Sequence, residues 1–376
     1  KKLNVINRAV LWMIPKMQEQ WRCVGLLNGF PVNDIRNFGV VNPSTDSLPL
    51  IRKAYSLLES SLILPSGKYR IVLTDELDPV RQETYPQGIL FYKDNFSLVF
   101  EEGAVLEMDP VSSGRYNIIS AYNAAGCSII NPKIVGDVGR GHVGEDGEWG
   151  YGIRVYNCKG MIIHEPDISK CWGDGILWFN PDITKGGGSI TGTGVYTGCR
   201  RQGVSIISCN SLYVENSIGR SIGGVANGPW ATIDVEPDLE TESIMGLRIG
   251  KVHGENNQGP SLLIAIHQLK PASTPVDISV GEVTSLNCQR ALEVRGDGGV
   301  RGVITIDSLV GRNSKNQEFQ TVKWLDTCNL HIGKFVSINP NKAGDTSSQY
   351  GVAIGIYNNY SGGTMGGISI EDIRII

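Results

Sequence analysis

From about residue 175 onward, short apolar runs recur between glycines and polar turns. They read GILWF from Gly175, GVSII from Gly203, ATIDVE from Ala231, SLLIAI from Ser261, ALEVR from Ala291, TVKWL from Thr321 and GVAIGI from Gly351. Successive starts lie 28, 28, 30, 30, 30 and 30 residues apart. A second family of runs sits between them: LYVENS, GLRIGKV, DISVGEV, VITIDSLV, LHIGKFV and ISIEDIRI. Short strands at a fixed period with no helix between them describe an array in which each unit buries its apolar face only by stacking on its neighbours. The expectation is an all-β fold, a right-handed parallel β-helix.

Alternation within a strand then divides the side chains by direction. The inward set is Ile176 and Trp178, Val204 and Ile206, Ile233 and Val235, Leu262, Ile264 and Ile266, Leu292 and Val294, and Val322 and Trp324. The outward set is Asp174, Arg201, Ser205, Thr232, Asp234, Glu236, His267, Glu293, Arg295 and Lys323.

Upstream the pattern changes. DIRNFGV (34–40) reads as a strand, and 46–61 as a helix with Leu48, Leu50, Ile51, Tyr55 and Leu58 roughly on one face. Strand pairs follow at 61–71 and 96–110. A terminal element must hide the open end of a stacked core, so the helix is expected to cap the coil. The chain divides into a leader with a short helix (1–30), a capping region with the first strands (31–110) and a parallel β-helix (111–376) that carries the groove.

Composition narrows the function classes. Glycine supplies 47 of 376 residues, above the usual ~7% and without a collagen period, as a fold with many turns requires. A net charge of −4 and the lack of a basic run give no footprint for nucleic acid. No apolar stretch approaches the ~20 residues of a membrane span. The opening KKLNVINRAVLWMIPKMQEQW lacks a clear small-residue cleavage site and reads as a leader, not a signal peptide. The eight cysteines form no CxxC pair or zinc-like cluster, and read as buried thiols of a protein assembled under reducing conditions. The residues call for no metal and no cofactor; the glycine run in ITKGGGSITGTG (183–194) lacks the context of a phosphate loop.

The run DIRNFGV…LPLIRKAYSL…LILPSGKYRI…LVFEEGAVLEM resembles the opening region of the pectate-lyase-like right-handed β-helix superfamily. GEWGYGI (147–153), GDGI (173–176), RRQGVSI (200–206) and IDVEP (233–237) are similar to blocks shared by phage tailspike polysaccharide depolymerases and related bacterial glycan-degrading proteins. The likeness covers about residues 31–260. VVNPSTD stands where the superfamily usually carries a Gly-Asp-Gly-x-x-Asp-Asp motif. The resemblance implies a bacterial surface polysaccharide as substrate (capsule, exopolysaccharide or O-antigen) and a homotrimer. It also implies a place on a virion tail or outside the cell, with no nucleic acid and no membrane insertion. It transfers no catalytic residue.

The candidate residues come from the strand period. Asp234 and Glu236 share a face about 6.5–7 Å apart at Cα, and like charges so close raise the pKa of at least one. Glycosidases need such a pair, about 5–5.5 Å apart for retention and 6.5–9.5 Å for inversion; side-chain reach spans both. The plainer alternatives are solvated carboxylates, a structural ladder or a calcium site. Asp174 lies two rungs earlier and joins them as a catalytic candidate, although Asp-Gly also favours a tight turn. Arg200 and Arg201 supply donors for an acidic sugar or lower a neighbouring carboxylate's pKa; a surface salt bridge is the equal alternative. Glu148 with Trp149 forms a candidate sugar platform, against a Trp that plugs a rung. Trp230 is expected at the groove edge, and His267 and Arg295 on the substrate face.

Three functions fit this reading: endo-hydrolysis by paired carboxylates, β-elimination on a uronate by a lyase, and glycan binding without catalysis.

Overall fold

A computed structural model describes residues 29–144, 147–224, 228–296, 298–340, 352–357 and 366–376, together with the two-residue strands Trp12–Met13, Trp21–Arg22 and Leu26–Leu27. The helix expected near the start falls outside the described residues. The rest is a right-handed parallel β-helix, a coil walled by two large sheets.

The front sheet carries one strand per turn. Its parallel strands are β1 (Thr84–Phe91), β2 (Arg115–Tyr122), β3 (Trp149–Tyr156), β4 (Ile176–Phe179), β5 (Val204–Asn210), β6 (Ile233–Val235), β7 (Pro260–Ala265), β8 (Arg290–Arg295), β9 (Phe319–Val322) and β10 (Ile354–Tyr357). Thr74–Leu77 adds an antiparallel strand outside β1. The second family of runs forms the back sheet from Tyr213–Arg220 to Ile368–Ile375, with Ser189–Thr197 on the rung before them. Before Ser189 that sheet forks. Ile162–His164 pairs with the first part of Ser189–Thr197 and Asp167–Ser169 with its last part, so the early turns carry two back strands and the later turns one longer strand.

Apolar residues stack rung on rung inside the coil. Ile176, Val204, Ile233, Leu262 and Leu292 are in register from β4 to β8, as are Trp178, Ile206, Val235, Ile264 and Val294. All are buried, and each contributes about 1.5–3 kcal/mol relative to an exposed position. Seven described cysteines are buried free thiols.

Two parts of the expected register differ. On β9 the inward residues are Phe319 and Thr321, paired with Leu292 and Val294, so Val322 turns outward. Trp324 is still buried, but from the turn beyond. Thr232 also turns inward, where its hydroxyl bonds the His253 carbonyl at 3.2 Å and accepts from Asn257 Nδ2 at 2.9 Å. It belongs to a column of small residues, Gly175, Gly203, Thr232, Ser261 and Ala291, at which the chain bends into the strand. A Cβ at Gly175 would lie 2.6 Å from the Gly203 carbonyl and 2.8 Å from the buried Tyr196 ring. Two consecutive inward residues at this bend swing the residue before it outward, which brings Asp174, Gln202 and Arg290 onto the face.

The helix α1 (Leu48–Leu57) seals the N-terminal end with Leu48, Ile51, Ala54 and Tyr55 buried. The Tyr55 ring meets Phe91 at 5.4 Å and Phe96 at 4.8 Å. DIRNFGV is not a strand: Ile35–Asn37 forms a short 3₁₀ turn because the Asp34 carboxylate accepts the Arg36 backbone N–H at 2.8 Å. No helix among the described residues is long and apolar enough to cross a membrane.

Candidate active site

Outward residues of β3 to β9 line up in columns fixed by the strand register. One column runs Arg154, Leu177, Ser205, Asp234, Leu263, Glu293 and Gln320. Around its lower half opens a groove of about 550 Å³ lined by Arg201, Trp230, Glu236, Pro260, Arg290, Glu293 and Arg295, among others. Four of the residues singled out from the sequence thus meet at one place: Arg201, Trp230, Glu236 and Arg295.

Asp234 and Asp174 belong to the same cluster but are shielded from solvent, not set on an open face, with relative exposures of 0% and 1%. Gln202 occupies the rung between them and donates its side-chain amide to Asp234 Oδ2 at 2.8 Å. The Oδ1 atoms of both aspartates are enclosed without a hydrogen-bond partner among the described residues. Burial, and after it the Glu236 charge, holds Asp234 well above the usual carboxylate range, against the Gln202 amide and Arg201. Burial lifts Asp174 to about 7, opposed by Arg201 and the Gln202 backbone N–H and reinforced by Glu148 and Glu236. Both are therefore suited to carry a proton near neutral pH.

Arg201 links the cluster. Its Nε lies 3.1 Å from Glu148 Oε2. Burial works against its charge, yet Asp174, Glu148 and Asp234 together raise its pKa. Arg295 Nε bonds Glu293 Oε1 at 2.7 Å, and Arg290 Nη1 bonds the other oxygen of that buried carboxylate. Glu293 is thereby neutralised from both sides.

The remaining candidates lie elsewhere. Arg200 is not on the substrate face: it is buried, its Nε donates to the Trp172 carbonyl at 2.8 Å and its Nη2 to the Gly147 carbonyl. Its guanidinium stacks on the Trp172 ring at 3.9 Å, and His142 stacks on Trp172 at 3.5 Å. Arg200 thus anchors the chain just before Glu148. Trp149 opens into a neighbouring pocket of about 390 Å³ with Glu83, Tyr85 and Arg115, whose guanidinium lies 4.4 Å over the indole. His267 falls in the turn after β7 and does not line the groove, because the strand ends at Ala265.

Sequence reasoning missed Gln202 and Arg290, which the small-residue bend turns outward. The only available signal was the column of Gly, Thr, Ser and Ala before each apolar run. It also missed Asp78, which comes from the turn after Thr74–Leu77 and receives bonds from Tyr85 and Arg154. Among the described residues, no group of three or more His, Cys, Asp or Glu is arranged to hold a metal ion.

No protein-family profile matches the chain. Two curated relatives from Bacillus subtilis (strain 168) are similar: uncharacterized protein YclG, 26% identical over 60% of this chain and 42% of its own length, and the SPbeta prophage-derived uncharacterized protein YorA, 23% identical over 62% of this chain and 40% of its own. The chain thus spans about two fifths of the length of these relatives. Among solved structures, the A-module of the Azotobacter vinelandii mannuronan C-5 epimerase AlgE4 is similar with a TM-score of 0.51 and 12% identity, over 91% of this chain and 95% of that one. A tailspike protein from Acinetobacter baumannii bacteriophage Fri1, a capsular polysaccharide depolymerase, gives 0.46 and 11% over 86% and 60%. At these identities the likeness is one of fold.

Proposed function

We propose that the chain is a polysaccharide depolymerase that hydrolyses a bacterial surface glycan within its chain, with Asp234 and Glu236 as the reacting carboxyls. One observation carries this reading. A fully buried Asp234, its pKa raised by burial and by the Glu236 charge, stands two residues from Glu236, which lines the groove. In the proposed reaction Asp234, which lies behind the groove surface, passes its proton through one bridging water to the glycosidic oxygen as the bond to the anomeric carbon breaks. Glu236 either takes a proton from the attacking water, with inversion, or attacks the anomeric carbon itself, with retention. Asp174 replenishes or stabilises the proton on the cluster, and Arg201 compensates the charge left behind. Trp230 supplies an apolar wall, and Arg295 a donor for sugar oxygens. Support also comes from the motif blocks similar to tailspike depolymerases. YorA is prophage-derived, and the AlgE4 module, named for mannuronan, has the same coil. The phage-tail or extracellular location and the homotrimer belong to the same proposal.

A lyase is the second reading, favoured by Arg201 and Arg295 beside one groove. There a base removes the proton α to a uronate carboxylate and arginine steadies the enolate-like charge. The products separate the readings. Incubation with purified capsular polysaccharide, mannuronan and polygalacturonate is expected to release reducing ends without ultraviolet-absorbing unsaturated termini. Unsaturated termini would replace the hydrolase by the lyase; binding with no new ends would leave a non-catalytic adhesin.

A further inference from the structure

Beside the column that holds Asp234 runs another outward column, two residues further along each strand. In β2, β3 and β4 it is aromatic: Tyr122 pairs with Tyr156 and Tyr156 with Phe179. The two tyrosine rings are stacked, 5.5 Å apart at 13°, and Phe179 meets Tyr156 edge-on at 5.4 Å and 73°. All three side chains are half-buried, so one side of the ladder stays open to solvent. The Arg154 guanidinium lies 5.8 Å over the Tyr156 ring, held in place by Asp78.

The ladder points at the reacting carboxyls. Phe179 stands opposite the bulge at the end of β5. The Glu236 backbone N–H donates to the Ile206 carbonyl at 3.1 Å, which places Glu236 next to Ile207 in the same column. At ~4.8 Å per rung, Phe179, Tyr156 and Tyr122 lie about 10, 14 and 19 Å from Glu236 along the coil axis. Past Glu236 the column continues as Ala265, Arg295 and Val322, and meets an aromatic again only at Tyr357, four rungs on.

We infer that Tyr122, Tyr156 and Phe179 form a binding track for the sugar rings that precede the scissile bond. The inference rests on the reading of Asp234 and Glu236 above. Its occupant is the same glycan, lying along the coil axis on the side of β2 to β4. The open edges of the stacked tyrosines and the Phe179 ring offer apolar surface to the C–H side of a pyranose, and the tyrosine hydroxyls offer donors and acceptors to its rim. Continuity of the column with Glu236 identifies the occupant. The track also explains why a chain of several sugars, not a disaccharide, would be the preferred substrate.

Affinity electrophoresis of the full chain tests this, through gels holding mannuronan, iota-carrageenan, polygalacturonate or purified bacterial capsular polysaccharide. Wild type and Asp234→Asn should be retarded by at least one of them. Tyr156→Ala should weaken that retardation at least 10-fold, and Tyr156→Phe should restore most of it. On the polymer that is cut, Tyr156→Ala should raise KM at least 10-fold with kcat within twofold, and should leave cleavage of the shortest reactive oligosaccharide unchanged. If Tyr156→Ala lowers the thermal midpoint, Tyr156→Thr, which keeps strand propensity, takes its place. Retardation that survives in both Tyr156→Ala and Phe179→Ala overturns the track, even if wild type cleaves. Retardation lost in these variants, with no cleavage by wild type, keeps the track and removes the hydrolase. A wild type held by none of the four probes removes both.

Discussion

The two walls of the coil carry charged residues in the same outward positions with opposite consequences. On the back sheet, Arg248 pairs with Asp277 at 2.7 Å while their side chains remain 46% and 52% exposed. Lys251 and Glu282 form a looser pair on neighbouring rungs. On the front sheet, Arg154, Asp174, Asp234 and Glu293 are all buried. The strand period is identical; the cover differs. The turn around Asp78 closes over Arg154, the Gly228–Trp230 segment borders the groove, and Arg201 with Glu148 spans the aspartates. Removing water from one wall raises the pKa of Asp174 and Asp234 above the range of an ordinary surface carboxyl. Chemistry on this fold thus depends less on which residues point outward than on which wall is covered.

Truncating one partner on each wall breaks the comparison most sharply. Glu293→Ala strands the buried Arg290 and takes the partner from the more exposed Arg295, and is expected to cost about 3–5 kcal/mol, seen as a clear drop in the thermal midpoint. An effect below about 1 kcal/mol would mean that the front wall is as wet as the back.

The pH dependence gives the next largest effect. Asp174 rises from 3.8 to about 7 in the folded chain, so between those values the folded state holds more protons than the unfolded one. Stability contributed by this group is therefore full below about pH 4, falls as pH rises and levels off above about 7. Buried Glu242 and Glu318, each pushed to about 7 mainly by burial, act in the same direction. Asp174→Asn should match wild type at pH 4 and exceed it at pH 8 by at most ~4 kcal/mol. Thermal midpoints recorded across this range would show it, and parallel curves would contradict it.

Asp277→Ala on the back wall sharpens the contrast from below. An exposed pair is worth about 0–1 kcal/mol, and raised salt should erase even that. A larger loss in the same melting assay would mean that the back pairs are structural supports.

The coil itself was legible in the sequence because a period of 28–30 residues and an alternation of two are both local properties of the chain. Asp234 and Glu236 could be placed on one outward edge for the same reason. The failures come from four physical sources. The bend at Gly175, Gly203 and Thr232 inserts two inward residues in succession, which alternation alone does not foresee, and so Thr232 was misplaced and Gln202 overlooked. At β9 the apolar pair Val322 and Trp324 mimics the inward pattern, but Phe319 and Thr321 take those positions. Arg200 and Arg201 are neighbours in sequence with opposite fates, one drawn under Trp172 and Gly147, the other into the groove. Burial on the front wall depends on segments far away in sequence, such as Asp78, which covers Arg154 from 76 residues earlier in the chain. No window along the chain contains that information.

The central claim, that buried Asp234 and groove-lining Glu236 perform the cleavage, is tested most directly on one purified bacterial capsular polysaccharide. Reducing-end release is measured for wild type, Asp234→Asn and Glu236→Gln, with thermal midpoints recorded alongside. The account predicts folded variants that have each lost about 10²–10⁴-fold in rate. Full activity in both variants would contradict it.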